Sequence, residues 1–447
     1  MLQFLKQQRL FIFILGLWIA SGVVSVWAAM IVIPVSLLIM HRKKMYVEIL
    51  TGFLFLLILS DSRQPMFAFA ADVKNVFILV LGALVFTDRK AFSSPFLVTR
   101  NFVIYIVISL FCIVLSEFLF NSFQRTLSYI LILTVVPAYL MAAWDKSGKE
   151  TLVFIIRFAG LVLAAGLILR VLSPEFVTLE GRFSGLLGNP NGLGLFCTLL
   201  IIVISVARDL YKDLLLQREY YIIMALIIAS VLFCGSRNAV FAIGIFFVFV
   251  RLYKVTPVFG YLAFIILIIV YQLILTNLAD IIIALNLQDF FRLDTLENAS
   301  GRLVAWEFGW NNIKESIWIG KGIGYTDNLY KLNYAFLSIQ GHQGNAHNSY
   351  ITFWLDTGVF GLIFYLVAIV RSFYAGYKRS PSAIPALFAI LFSAFFESWL
   401  TASLNPFTIQ CVLVIALLSG KFTVDEETES EEDATEEDED VTLPEPV

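Results

Sequence analysis

The chain has 447 residues, of which 59% are hydrophobic and 15% charged, and phenylalanine alone occurs 42 times. A soluble globular protein carries about 45–50% apolar and about 25% charged residues, so a soluble enzyme is excluded and most of this chain must lie in lipid. The net charge of −3 hides a split: thirteen of the 34 acidic residues fall in 425–447, and residues 1–420 hold 30 basic against 21 acidic side chains.

Apolar runs of roughly 17–22 residues read as membrane-spanning helices. Residues 10–40 would be about 46 Å long as one helix, too long for one upright span, and Ser21-Gly22 predicts a break into two short helices. Spans follow near 45–60, 72–87, 101–120, 126–144, 150–171, 191–207, 220–235, 238–252 and 258–276. After a long insert they resume near 350–370, 383–400 and 404–420. The expected fold is an all-α polytopic membrane protein of about 12–14 transmembrane helices with a partly helical extracytoplasmic insert.

The positive-inside rule gives the orientation. With Lys6 and Arg9 in the cytoplasm, alternate loops carry Arg42-Lys43-Lys44, then Arg89, Lys90 and Arg100, Lys146 and Lys149, Arg208, Lys212 and Arg218, Arg251 and Lys254, Arg371, Lys378 and Arg379, and Lys421. The acidic tail is then cytoplasmic; it cannot bury apolar surface and is expected to be disordered. The opposite face receives the loop 173–190 and the insert 277–349. Four regions result: N-terminal helices 1–276, an extracytoplasmic loop domain 277–349, C-terminal helices 350–420 and the tail 421–447.

The insert is too long to be structureless in a compact protein. Ser300-Gly301-Arg302 opens an amphipathic helix with Leu303, Trp306, Trp310 and Ile313 at helical spacing. Gly320-Lys321-Gly322-Ile323-Gly324 ends it; without a strand before it and a helix after it, this cluster reads as a turn and not as a phosphate loop. Two of the three histidines, His342 and His347, close the insert where the chain returns to lipid. Histidine changes charge nearest neutral pH and can exchange a proton at an interface. Its plain alternative is that His347 neighbours a helix cap and His342 is a solvated loop residue.

Four arginines stand on the same face: Arg170, Arg182, Arg237 and Arg302. An arginine near lipid depth costs roughly 2.5–3.5 kcal/mol on insertion scales, so it pairs or lines a wet cavity. Arg170 reads as snorkelling or structural. Arg237 and Arg302 have few acidic neighbours in sequence, and a guanidinium matches phosphate oxygens in a bidentate fork. Glu397 reads as a buried ionisable group inside a late span and as a cavity partner. Metal binding has little support: Glu307, Glu315, Asp327 and Asp356 are dispersed, and no HExxH or GxSxG pattern occurs. Cys112, Cys197, Cys234 and Cys411 show neither metal-ligand spacing nor a disulfide framework.

Three stretches carry a family resemblance. They are Arg182 with Gly188-Asn189-Pro190-Asn191-Gly192; Gly235-Ser236-Arg237; and Arg302, Trp306 and the glycine cluster leading to His347-Asn348-Ser349-Tyr350 and Asp356-Thr357-Gly358-Val359-Phe360-Gly361. Across about 180–361 the sequence resembles the O-antigen ligase and polymerase family of bacterial surface-polysaccharide assembly. Asp356 departs from the glutamate that the family commonly has there. The resemblance implies a GT-C-like membrane glycosyltransferase in the cytoplasmic membrane. It implies a polyprenyl-diphosphate-linked oligosaccharide donor at the outer face, and no metal or other cofactor. The acceptor would be a glycan, a lipid or a cell-wall polymer; membrane lipid is a partner and nucleic acid is not.

The chemistry suits these residues. A leaving diphosphate develops negative charge that Arg237 and Arg302 can meet. His347 is placed to orient or deprotonate the acceptor hydroxyl. Arg182, Asn191, Asn348 and Glu397 are the expected substrate-pocket residues. The rival reading is a polysaccharide flippase or solute transporter. It lacks an inverted repeat and a pair of broken helices in matching halves, and it requires a midplane site where the enzyme requires an outward one.

Overall fold

A computed structural model describes residues 8–92, 94–253, 262, 266, 302–340, 344–401 and 403–422. The rest of the span expected near 258–276, the insert up to Gly301, the Leu303 side chain, His342 and the acidic tail lie outside the described residues.

The described chain is almost entirely helical. The N-terminal part runs through α1 (Arg9–Val24), α2 (Val26–Arg42), α3 (Tyr46–Asp61), α4 (Phe69–Thr87), α5 (Val103–Val114), α6 (Leu119–Ser147) and α7 (Glu150–Leu172). A short antiparallel hairpin, β1 (Thr178–Leu179) and β2 (Arg182–Phe183), precedes α8 (Pro190–Leu210), α9 (Gln217–Cys234) and α10 (Arg237–Tyr253). The insert supplies α11 (Arg302–Ile313), α12 (Tyr325–Leu332) and α13 (Tyr334–Ile339). The chain then continues into α14 (Ser349–Gly376), α15 (Ala383–Phe396) and α16 (Pro406–Leu418). Among the described residues six helices are long and apolar enough to cross a membrane, and five shorter apolar helices accompany them. The chain is a multi-pass, all-α membrane protein.

The core is built from α3, α6, α8 and α16; α3, α8 and α16 bury nearly every apolar side chain they carry, and α6 does so from Leu131 to Trp144. The outer helices keep large apolar side chains exposed, among them Val24, Trp27 and Ile31 on the first pair and Leu232 and Phe233 on α9. In water such a surface would aggregate; against acyl chains it costs nothing, because the helices satisfy their own backbone groups.

Three sequence boundaries move. The first run does divide, but at Ser25, which is extended and accepts from the Trp27 amide. Gly22 instead makes room for packing, since a Cβ there would lie 2.2 Å from the Phe69 ring. The runs read as 101–120 and 126–144 become a short α5 and a 29-residue α6. Most consequentially, α15 stops at Phe396, and Glu397 is not inside a span: its backbone is extended (φ −145°, ψ 144°) at the end of that helix.

Helix starts are set by asparagines. Asn189, Asn348 and Asn405 are each extended, and each side-chain oxygen accepts from backbone amides of the first turn of α8, α14 and α16. Proline follows at Pro190 and Pro406, where a missing N–H costs no helical bond.

The glycine cluster forms a turn, and its partner is α14. That helix breaks at Gly358 (φ 72°, ψ 178°), where a Cβ would sit 2.3 Å from the Trp318 carbonyl oxygen. The break frees the Leu355 and Asp356 carbonyls, which accept from the Lys321 and Gly322 amides at 3.0 and 2.8 Å. The buried Asp356 carboxylate accepts from the Gly324 and Thr326 amides, both at 2.9 Å, and from the Thr326 hydroxyl at 2.7 Å. The loop's amides are thus consumed by the protein and leave no phosphate cradle. Asp356→Ala should strand two amides and a hydroxyl and destabilise the fold by about 2–5 kcal/mol. Thermal unfolding of the purified protein in detergent measures this; an unchanged midpoint would overturn it.

Candidate functional site

The site forms where the ends of α8, α9, α11, α14 and α15 meet, and its assembly can be followed from the hairpin inward. Glu180 and Gly181 both have positive φ (50° and 74°), the backbone of a two-residue hairpin turn, and they set Arg182 at the start of β2. Arg182 donates from Nε to the Cys234 carbonyl at 3.0 Å and from Nη2 to the Gly235 carbonyl at 3.3 Å. A cation thereby sits on the negative end of α9. Gly235 is left-handed (φ 57°) and turns the chain at once into α10. Gly194 on α8 has no Cβ to hold Ser236 away, since one would lie 2.7 Å from the serine's own. Arg237 therefore opens α10 directly beside α8, with its side chain exposed.

Arg182 Nη2 also donates to Asn191 Oδ1 at 3.0 Å, and Asn191 Nδ2 donates to Glu397 Oε1 at 3.1 Å. Arg302, the first residue of α11, donates to the same Oε1 at 3.0 Å. His347 Nδ1 lies 3.3 Å from Glu397 Oε2. One carboxylate therefore joins an amide, a guanidinium and an imidazole drawn from three distant parts of the sequence. An ionised carboxylate only accepts, so this contact places the imidazole proton on Nδ1 and leaves Nε2 as the acceptor in the neutral ring.

The surrounding backbone fixes that geometry. Ser349 Oγ donates to the Glu397 carbonyl at 2.7 Å, and Ser398 Oγ accepts from the Asn348 amide at 3.0 Å. The start of α14 is thus stitched to the segment after α15. Trp306 Nε1 donates to the Ala346 carbonyl at 3.0 Å, tying α11 to the residue before the histidine. His347 itself has φ 44°, a left-handed conformation that costs a non-glycine residue about 1–2 kcal/mol. Its amide donates to Asn345 Oδ1 at 2.8 Å. The three central side chains keep 22% (Arg302), 15% (Glu397) and 16% (His347) of their surface exposed, so each is mostly enclosed yet open to solvent.

The expected residues divide by what they touch. His347 and Arg302 meet on one carboxylate. Arg302, read as a cation short of acidic neighbours, has Glu397 as its partner; 95 positions separate them, and only folding brings them together. Arg182 bonds to backbone carbonyls and to Asn191, and Asn191 passes that contact on to Glu397, so the two brace the carboxylate from the α8 side. Asn348 is buried, and its oxygen serves the Tyr350 and Ile351 amides as a helix cap. Arg170 stacks over the Phe233 ring at 3.6 Å, a structural cation–π contact. His41, the remaining histidine, contacts Asp88 and the Phe92 ring away from the site. The sequence reading missed Ser349 and Ser398 as the stitch between α14 and the Glu397 segment, and no sequence pattern marks that pairing. Among the described residues no three of His, Cys, Asp and Glu gather as metal ligands, and the four cysteines are buried and free.

Residues 222–366 match the family model described as O-Antigen ligase. That match supports an assignment to the O-antigen ligase family. The match takes in Arg237, Arg302, His347 and the break in α14. Glu397, Arg182 and Asn191 lie beyond it and reach the site through the fold. That assignment points to a membrane glycan-transfer activity and, in general terms, to a lipid-linked glycan donor and a glycan acceptor. No curated protein matches the chain.

Proposed function

We propose that the protein is a glycosyltransferase of the outer face of the bacterial cytoplasmic membrane, moving glycan from a polyprenyl-diphosphate-linked donor onto an acceptor hydroxyl. The observation that carries this reading is the Glu397 carboxylate, which holds Arg302 on one oxygen and His347 on the other. With Nδ1 committed to Glu397, His347 Nε2 takes the proton of the acceptor hydroxyl as its oxygen attacks the anomeric carbon of the donor sugar. The bond from that carbon to the diphosphate breaks, and the leaving group carries its charge toward Arg302 and Arg237. Glu397 stabilises the imidazolium that forms, as a carboxylate does in any base–orienter pair. Arg182 and Asn191 position Glu397, and Asn348 fixes the start of α14.

This placement at helix ends favours the enzyme over a carrier, which needs its site at the midplane between two rocking halves. The basic loops support an outward site and a cytoplasmic tail. Incubating the purified protein with a lipid-linked oligosaccharide tests the reading. A product ladder identifies a polymerase, one transfer onto a supplied acceptor identifies a ligase, and an unchanged donor overturns the proposal.

The donor set has a second consequence. With arginines facing the diphosphate and no carboxylate cluster among the described residues, turnover should survive EDTA. Loss of activity in EDTA, with recovery on adding Mg²⁺ or Mn²⁺, would sink the assignment of that charge to arginine.

A further inference from the structure

We propose that a cavity between the turn before α5, the later half of α14 and the end of α16, at the end of the molecule opposite Glu397, binds the phosphate group of an anionic membrane lipid. The cavity has a volume of about 410 Å³ and is lined by Arg100, Asn101, Arg371, Ser372, Ile415 and Ser419 among others. It lies 23 positions along α14 from Ser349, on the order of 30 Å at helical rise, so it is separate from the transfer site.

Two guanidiniums face this space, and no acidic side chain lines it. Neither Arg100 nor Arg371 forms an ion pair among the described residues, and both are exposed. The neighbouring Arg379 is already spent, since it donates to the Leu417 and Leu418 carbonyls at the end of α16. The Ser419 hydroxyl is buried without a hydrogen-bond partner. Asn101 Nδ2 donates to Ser372 Oγ at 3.0 Å, which fixes the 3-10 turn before α5 against α14. Two cations without a counter-ion and an unanswered hydroxyl form a site for a group with several acceptor oxygens and negative charge. Phosphate fits, and two arginines can grip it in bidentate fashion.

The surroundings select a lipid phosphate over a free one. Leu97, Val98 and Ile415 give the cavity an apolar wall. Just beyond it Val103 and Ile104 on α5, and Val367 and Val370 on α14, stand exposed on helices that face acyl chains. A phosphodiester lipid satisfies both surfaces at once, with its headgroup between the arginines and its chains along those valines. A basic pocket between transmembrane helices near the membrane surface is the arrangement that holds such headgroups.

The test compares the full-length parent with R100Q/R371Q, each reconstituted in nanodiscs of equal phosphatidylglycerol and phosphatidylcholine. Lipid carried through release from the nanodisc is read by native mass spectrometry. K378A, which removes an exposed charge on the same face but outside the cavity, is the control. The parent and K378A should retain phosphatidylglycerol preferentially, and R100Q/R371Q should lose that preference by about tenfold while remaining monodisperse. Both arginines are exposed and carry no structural bond, so the variant should fold; S419A gives a second, smaller reduction that leaves the charges in place. Inorganic phosphate added at millimolar concentration should not displace the lipid from the parent. Equal retention in R100Q/R371Q overturns the site. Displacement by inorganic phosphate overturns the lipid as its occupant.

Discussion

His347→Ala should reduce glycan transfer by roughly 10²–10⁴-fold while leaving the protein folded, the loss typical when a general acid–base is removed. The fold should survive because the ring's hydrogen bond is to Glu397, which Arg302 and Asn191 continue to hold. Alanine tolerates the left-handed φ of 44° about as badly as histidine does, so the backbone strain is nearly unchanged. The loss should therefore appear in turnover and not in thermal stability. His342→Ala, five positions earlier in the sequence, is the comparison and should be mild. The measurement is product formed per molecule of monodisperse, correctly inserted protein. Parent-like activity of His347→Ala, or a damaging His342→Ala, would remove His347 from the reaction.

Glu397→Gln should be nearly as damaging to turnover, for a different reason. The amide keeps the size and one acceptor oxygen, but it removes the charge that Arg302 and His347 share. Its NH₂ group then opposes either the guanidinium or the protonated Nδ1 of the ring. Without a carboxylate on Nδ1 the imidazole loses its fixed tautomer and the counter-charge for the imidazolium, a change that costs about 10⁴-fold in the best-known base–orienter pair. Some of the local assembly should persist, because Ser349 and Ser398 hold the same segment through backbone and hydroxyl groups. Glu397→Ala should add a loss of stability, since it leaves Arg302, Asn191 and His347 without their common acceptor. Turnover of the lipid-linked donor and thermal midpoint, measured on both variants, separate the two effects. If Glu397→Gln turns over like the parent, Glu397 is a structural counter-ion and the orienting role assigned to it is wrong.

The sequence by itself determined the class of this protein. A chain so rich in phenylalanine, leucine and isoleucine, with few charges outside its tail, can satisfy its backbone in lipid only as helices. Local chemistry also fixed several element ends. Asn189-Pro190, Asn348-Ser349 and Asn405-Pro406 cap helices with groups that lie within three residues of the amides they serve, so the information is contained in the tetrapeptide. His347 stands out as a candidate on local grounds too, being a histidine set where a polar insert returns to an apolar run.

The tertiary structure decided how those residues work together. Nothing near Arg302 in sequence is its partner, because Glu397 arrives from the far end of α15. Nor does hydropathy reveal that α15 stops at Phe396, since Trp399 and Leu400 continue the apolar pattern while the backbone has already left the helix at Glu397 and is bonded to α14. The glycines at 320–324 read correctly as a turn, yet their purpose depends on a break at Gly358 that no local pattern announces. Hydropathy reports only the partition of a segment between water and lipid, and capping reports only its immediate neighbours. A carboxylate that gathers an imidazole, a guanidinium and an amide from positions 347, 302 and 191 is a property of helix packing, and it exists only once those helix ends share one place.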